Sequence, residues 1–505
     1  MLYFGANDGA LHAVSACTGA ERLAFVPGAL YANLSELTST DYAHRYFIDG
    51  PSTVVDAFWG GAWHTALVGT LGAGGNGVFA LDVTDPNTFS ETNADNIVLW
   101  EIIATPSVAG SDFEHLGYTF SQPAIIKAEG HGWVAVFGNG YDSVAGKAVL
   151  YIVAIDSGNL LATIDLSNVN STAAGGGANG LSTVSPIDRD GDGEVDLIYA
   201  GDLNGNVWRF VSNGSGFSEG NTSLLYSAKS VGGVAQPITS RLAVGYHPTS
   251  AVGRMVYFGT GKYYETADQD PTNAVAYNSM YGIWDRDNGQ TITSVTTRNS
   301  NILQQQTITQ QTAGTFGSNS FDVRIVSDTP MTWATSSASC SALGLCGWYL
   351  DLTNPDSSGN PVQGEKMVAN PILRGGRLIF VTTIPSLEAC KAGGDGWLME
   401  IDPRTGGRLY APVFDLNGDG VFTFEDNLSS TSGGTTVYTP VSGKKSKVGI
   451  LQPPAILSGV GGAGDGSYGG AEGKYSSGTK DAAIDVTVEN PGLLGAGRKS
   501  WVRIQ

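Results

Sequence analysis

Asp188-Arg-Asp190-Gly-Asp192-Gly-Glu194-Val-Asp196 runs directly into Leu197-Ile-Tyr-Ala-Gly-Asp-Leu-Asn-Gly-Asn-Val-Trp-Arg-Phe210. Carboxylates at loop positions 1, 3, 5 and 9, separated by glycines that permit tight turning, suit a hard cation that takes six to eight oxygen ligands. The expected ion is Ca²⁺. The residues after the loop decide the fold, because Leu197 to Ala200 and Asn206 to Phe210 read as two strands joined by the turn Asp-Leu-Asn-Gly, with no helix on either side. Tyr199 stands at position 12, where a helix-loop-helix calcium site would carry its closing Glu, so Asp196 is expected to close the shell at position 9. The stretch predicts a calcium loop on the rim of a β-sheet.

Such loops resemble those of integrin-type β-propellers, where the metal staples a hairpin at a blade edge. A second string, Asp415-Leu-Asn417-Gly-Asp419-Gly-Val421-Phe-Thr423-Phe-Glu-Asp426, places side-chain oxygens at positions 1, 3, 5, 9 and 12 and offers the Val421 carbonyl at 7. Its spacing is similar to the dockerin variant of the calcium loop. It is expected to be a second Ca²⁺ site.

Composition widens the fold assignment to the whole chain. The 505 residues include 70 Gly, 20 Tyr and 18 Phe with only 15% charged residues, a usage that favours many short strands and tight turns. One outline recurs: a strand, a turn rich in Asn, Asp or Gly, then a second strand. It occurs at Leu2 to Val14, His64 to Val83, Trp133 to Asp156, Asp196 to Phe210, Met255 to Trp284 and Leu378 to Gly406. Six hairpins with the outline of one blade each imply radial repetition in an all-β chain, read as a single propeller over 1–505. Segment 289–332, rich in Gln, Thr, Ser and Asn, reads as a polar insertion or extra strands, and 458–480 as a Gly-rich flexible loop before the last strand.

Charge excludes several partners. The formal net charge of −20 disfavours nucleic acid and anionic membrane surfaces, both of which need a basic face. No run of about 18 apolar residues could span a bilayer. The chain opens inside a strand and turn rather than in a leader peptide, and the expectation is a C-terminal portion of a longer exported protein. Cys340 and Cys346 are close enough in sequence to form a hairpin-like disulfide; Cys390 could pair with either instead.

Catalytic motifs are mostly set aside. Gly72-Ala-Gly-Gly-Asn-Gly77 has dinucleotide-type glycine spacing but joins two strands, so no helix N-terminus faces a pyrophosphate. The six histidines lack zinc spacing, and no Ser nucleophile is expected on a strand-to-helix elbow. The ten Trp read as blade packing, with Trp59 and Trp63, beside Gly60 and Gly61, left unassigned.

Tyr3-Phe-Gly-Ala-Asn-Asp-Gly-Ala-Leu-His-Ala13, Val136-Phe-Gly-Asn-Gly-Tyr141, the Asp188 loop with its hairpin, Phe258-Gly-Thr-Gly-Lys-Tyr-Tyr264, Cys346-Gly-Trp-Tyr-Leu-Asp-Leu352 and Gly497-Arg-Lys-Ser-Trp501 together resemble the C-terminal propeller of the PilY-type type IV pilus proteins. The resemblance runs in order over nearly the whole chain. It implies a seven-bladed, quinoprotein-like propeller with inserted loops on an exported factor, located at the cell surface, the pilus tip or the outer membrane. Minor pilins and a host or surface receptor are the implied partners. The implied role is calcium-linked control of pilus extension against retraction, hence twitching motility and adhesion, with no enzymatic activity. Carried over, the metal loop falls on Asp188, Asp190, Asp192 and Asp196 with the Glu194 carbonyl. The rival reading is a pyrroloquinoline-quinone dehydrogenase, against which stands the lack of a vicinal Cys pair.

Overall fold

The computed structural model describes residues 1–104, 110–175, 177–249, 252–270, 277–287, 292, 302–335, 340–341, 343–353, 364–388, 393–458, 471–480 and 483–491. The chain divides into two compact units. One comprises 1–228, 235–242 and 289–293; the other comprises 229–234, 243–288 and 294–505.

Among its described residues the first unit forms four antiparallel meanders in chain order. A three-stranded sheet (Leu2–Gly5, Leu11–Val14, Glu21–Phe25) is succeeded by a four-stranded one (Thr53–Trp59, Ala62–Thr70, Gly77–Asp82, Val98–Ile103). Two more four-stranded sheets come next: Ala124–Ala128, Gly132–Gly138, Val149–Ala154 and Leu160–Asp165, then Ser185–Ile187, Leu197–Gly201, Asn206–Val211 and Thr222–Ser227. Gly60 and Gly61 take φ of 60° and 85°, the left-handed pair that a two-residue hairpin turn requires.

Strand periodicity explains how these sheets stack. In Gly132–Gly138, Val134 and Val136 enter the core shared with Ile198, Trp208 and Phe210, while Ala135 and Phe137 enter the core shared with Ala66, Val68 and Trp100. Residues two apart share a face, so a strand buried on both faces must be apolar throughout. Leu150 and Ile152 against Val149, Tyr151 and Val153 repeat the division on the next strand.

The second unit is also antiparallel in the main. Ala243–Tyr246, Arg254–Gly259, Ser279–Asp285 and Gly347–Asp351 form one sheet, with Gln304–Gln306 added in parallel at its edge. A six-stranded sheet orders Ile308–Phe316, Asn319–Val326, Gly443–Lys445, Gly394–Ile401, Arg377–Pro385 and Ile372–Arg374. A hairpin (Leu428–Ser432, Thr435–Thr439) and a three-stranded sheet (Ala455–Ser458, Glu472–Ser477, Ile484–Glu489) complete it.

All six hairpins expected from sequence are present as antiparallel pairs. Of the segment 289–332, the described part is largely strand and contributes to two sheets, so the alternative of extra strands is the one realised there. Within 458–480, residues 459–470 lie outside the described residues, but Glu472–Ser477 is the central strand of its sheet rather than loop. Its side chains Glu472 and Lys474 are buried in an ionic cluster with Arg377, Glu400 and Glu489, a stabilisation that a polar sequence does not announce. Cys340 and Cys346 form a disulfide; Cys390 lies outside the described residues, as does the terminal Gly497 to Trp501. Among the described residues no helix is long and apolar enough to cross a membrane.

Candidate metal centre

The loop 188–196 connects Ser185–Ile187 to Leu197–Gly201 on the rim of the fourth sheet. Its geometry is set by carboxylates turned back on their own backbone. Asp188 accepts from the Gly191 and Gly193 amides at 2.6 and 2.9 Å, Asp190 from the Asp192 amide at 3.3 Å, and Asp192 from the Glu194 amide at 2.7 Å. Gly191 and Gly193, at φ of 83° and 91°, supply the left-handed turns that let those amides face inward. Asp188, Asp190 and Asp192 thereby bring one oxygen each to within 4.8 Å of the others.

The other half of the loop is sewn to the neighbouring sheet. The Val195 amide donates to the Lys127 carbonyl at 2.8 Å, its carbonyl accepts from the Glu129 amide at 3.0 Å, and the Glu194 carboxylate pairs with Lys127 at 2.9 Å. Asp196 is not brought to the three-carboxylate cluster. Its oxygens accept from the Arg189 amide at 2.9 Å and the Arg189 side chain at 2.8 Å. The sequence signal for that pairing is a cation at position 2 of an acidic loop, and it overrides the expected closure of the shell by Asp196. An oxygen-only donor set still fits a hard cation such as Ca²⁺.

The loop 415–426 repeats the same pattern position by position. Asp415 accepts from Gly418 and Gly420 at 2.7 and 3.0 Å, Asn417 from Asp419 at 3.0 Å, and Asp419 from Val421 at 2.8 Å. Asp426 is buried and turned to backbone, accepting from Leu416, Asn417 and Thr423 at 2.8, 3.2 and 3.1 Å. Burial pushes its carboxyl above the usual range, and the nearby Asp415 charge adds to the shift. Thr423 caps the short turn Phe424–Asp426 through its hydroxyl. Positions 1, 3 and 5 thus share the geometry of the first loop, while Thr423 and Asp426 are engaged in closing the backbone.

One buried group and one motif lie outside the two acidic loops. Asp202, in the turn after Leu197–Gly201, is fully buried and accepts from the Asn179, Asn206 and Trp208 side chains. The Gly-x-Ser-x-Gly spacing does occur once, at Gly216-Phe-Ser218-Glu-Gly220, but it leads into the three-residue turn Glu219–Asn221 and a strand, which is not a nucleophile elbow.

Comparison with known proteins fixes the lineage. Residues 1–320 match the family described as the PilY1 beta-propeller domain. The chain belongs to the PilY1 β-propeller family. The type IV pilus biogenesis factor PilY1 of Pseudomonas aeruginosa PAO1 is 37% identical over 453 residues, covering 85% of this chain and 36% of the relative. A PilY1 homolog from Xylella fastidiosa is 36% identical over 426 residues, covering 82% of this chain and 26% of the relative. The chain therefore spans about a third of the length of the curated PilY1 relatives it matches. The crystal structure of the P. aeruginosa PilY1 C-terminal domain superposes with a TM-score of 0.73 at 33% identity, covering 97% of this chain and 92% of that one. These PilY1 relatives are named as pilus biogenesis factors, which agrees with a non-enzymatic reading and does not favour a quinone dehydrogenase.

Proposed function

We propose that this chain is the calcium-binding propeller module of an exported type IV pilus biogenesis protein, acting at the cell surface or pilus tip. Among the described residues there are seven sheets of three or more strands, and each is proposed to be one blade of an irregular, quinoprotein-like propeller formed by 1–505. The observation that carries the calcium reading is the convergence of Asp188, Asp190 and Asp192 in a loop anchored to the adjacent sheet through Lys127 and Glu129. Those three carboxylates would hold the ion, with the Glu194 carbonyl beside them; Asp196 joins only by exchanging Arg189 for the metal. Asp415, Asn417 and Asp419, with the Val421 carbonyl, would form the second site.

The ion would supply charge neutralisation. Three carboxylates a few ångströms apart repel one another, and a bound divalent cation reverses that repulsion and fixes the adjoining hairpin. A rim ordered only when the ion is bound is a surface that minor pilins or an attachment receptor could read. This supports a role in pilus extension against retraction, twitching motility and adhesion.

The test is Ca²⁺ titration of the purified chain by calorimetry, with melting followed in Ca²⁺ and in chelator. At a hundredfold excess over Kd, binding should add about 2.7 kcal/mol, or roughly 5–11 °C for a unit of this size. Asp190→Ala should abolish the gain from the first loop without lowering the melting temperature in chelator. Identical melting in Ca²⁺ and chelator for the unaltered chain would remove the calcium reading. A full-length protein carrying Asp188→Ala, Asp190→Ala and Asp192→Ala that supports normal twitching would remove the link to pilus control.

A further inference from the structure

The first unit holds an open cleft of about 730 Å³ outside both acidic loops, lined by Asn33, Glu36, Arg45, Tyr46, Asn76 and Tyr118. That volume falls within the roughly 300–1,000 Å³ of small-molecule sites. Its walls come from the segment linking the first two sheets and from the Gly-rich string 72–77.

The chemistry of the lining narrows the ligand. Arg45 is engaged with both carboxylate oxygens of Glu36, at 2.7 and 2.8 Å, so the cleft carries no net charge from this pair and offers no spare cation to a phosphate or carboxylate. The Tyr46 and Tyr118 side chains are 46% and 40% exposed, and the His44 ring meets Tyr46 edge-on with centroids 4.9 Å apart. Among the described residues, the hydroxyls of Tyr46 and Tyr118 and the side-chain amides of Asn33 and Asn76 make no hydrogen bond to protein. Four groups without a protein partner, each able both to donate and to accept, therefore line one concavity together with two half-exposed aromatic rings.

Part of the surrounding backbone is already committed. The Gly74 amide donates to Leu71 at 2.9 Å, Gly75 to Gly72 at 3.5 Å, Ala104 to Asn76 at 3.0 Å and Tyr118 to Tyr141 at 2.7 Å. With those groups paired, the Gly-rich string presents no ring of free amides to a phosphate. The side chains offer apolar ring faces beside amides and phenols that match hydroxyls.

We propose that this cleft binds a neutral saccharide, its C–H faces against Tyr46 and Tyr118 and its hydroxyls on Asn33, Asn76 and the Arg45–Glu36 pair. The proposal goes beyond the calcium and pilus reading and does not depend on it. The experiment is saturation-transfer NMR on the purified chain with cellobiose, lactose, maltose and N,N′-diacetylchitobiose, then titration of whichever gives signal. At least one is expected to bind, with transfer to its ring C–H protons. Tyr46→Ala and Tyr118→Ala, at unchanged melting temperature, should each weaken it by about tenfold, the loss of one ring face. Tyr46→Phe and Tyr118→Phe keep the rings and should weaken it less, which guards against an alanine variant that fails to fold. Absence of transfer from all four sugars overturns the proposal. So does binding that survives both alanine substitutions, or Tyr46-dependent capture of sialyllactose or an extended peptide in place of the neutral sugars.

Discussion

Truncation of Asp202 tests how the hairpin behind the metal loop is held. Asp202 follows Leu197–Gly201 and is fully buried, its Oδ2 accepting from Asn179 at 3.1 Å, Asn206 at 2.9 Å and the Trp208 indole at 2.8 Å, while Oδ1 accepts the Asn206 amide at 2.8 Å. Burial pushes its carboxyl up, and the four donors oppose that shift. Asp202→Ala strips all four donors of their acceptor. The Asn179 and Asn206 side chains keep second partners in the Ala174 and Ala173 carbonyls, at 3.1 and 2.9 Å, so they lose least. The Trp208 indole has a single proton and the Asn206 amide another, and each is left buried without a partner. At about 1–3 kcal/mol per orphaned donor, with a smaller loss at the two side-chain amides, the total is about 4 kcal/mol. That corresponds to a fall of roughly 8–16 °C in melting temperature for a unit of this size. Asp202→Asn keeps the volume and one oxygen but turns an N–H toward the same donors, so its loss should be intermediate. Calorimetric melting at fixed Ca²⁺, with hydrogen exchange of the Trp208 indole, reads both effects. A fall of less than about 3 °C for Asp202→Ala, with the indole still protected, would refute the assignment of Asp202 as the anchor.

Three other perturbations probe buried charge and the metal loop. Lys474 is fully buried against Glu400 and Glu489, with Arg377 donating to Glu400 at 2.8 Å, and desolvation holds its pKa down to about 8. Lys474→Met should cost about 3–5 kcal/mol by leaving buried carboxylates short of a cation, read as a lowered urea midpoint, and an unchanged midpoint would contradict it. His247 is buried between Trp284 and Trp333, with ring centroids 4.2 and 4.4 Å away, and burial lowers its pKa from 6.5 to about 4. The unfolded imidazole therefore protonates first, so stability is whole above about pH 6.5 and falls by about 3 kcal/mol toward pH 4; His247→Phe should show a shallower fall across that window. Arg189→Ala frees the Asp196 carboxylate and should tighten Ca²⁺ binding at the first loop severalfold by titration; unchanged or weaker affinity would show that Asp196 contributes nothing to the site.

The local units were legible in the amino-acid sequence. Glycine pairs with left-handed φ, apolar runs of strand length and the Asp-x-Asp/Asn-Gly-Asp-Gly spacing are set by neighbours a few residues away, and all six hairpins and both Asx-turned loops formed where those signals stand. Tertiary structure decided which partner each long-range group took. Gly443–Lys445 inserts between Asn319–Val326 and Gly394–Ile401, a pairing invisible to local pattern because three residues carry no period. Asp196 went to Arg189 rather than to its fellow carboxylates because a cation in reach relieves a carboxylate more than another anion does. Glu472 and Lys474 turned a polar stretch into a buried strand because opposite charges on adjacent sheets satisfied them. The cleft beside Tyr46 and Tyr118 brings together residues far apart in the chain. Turn chemistry is short-ranged and legible one segment at a time; the competition among distant donors, acceptors and charges is resolved only when the sheets pack.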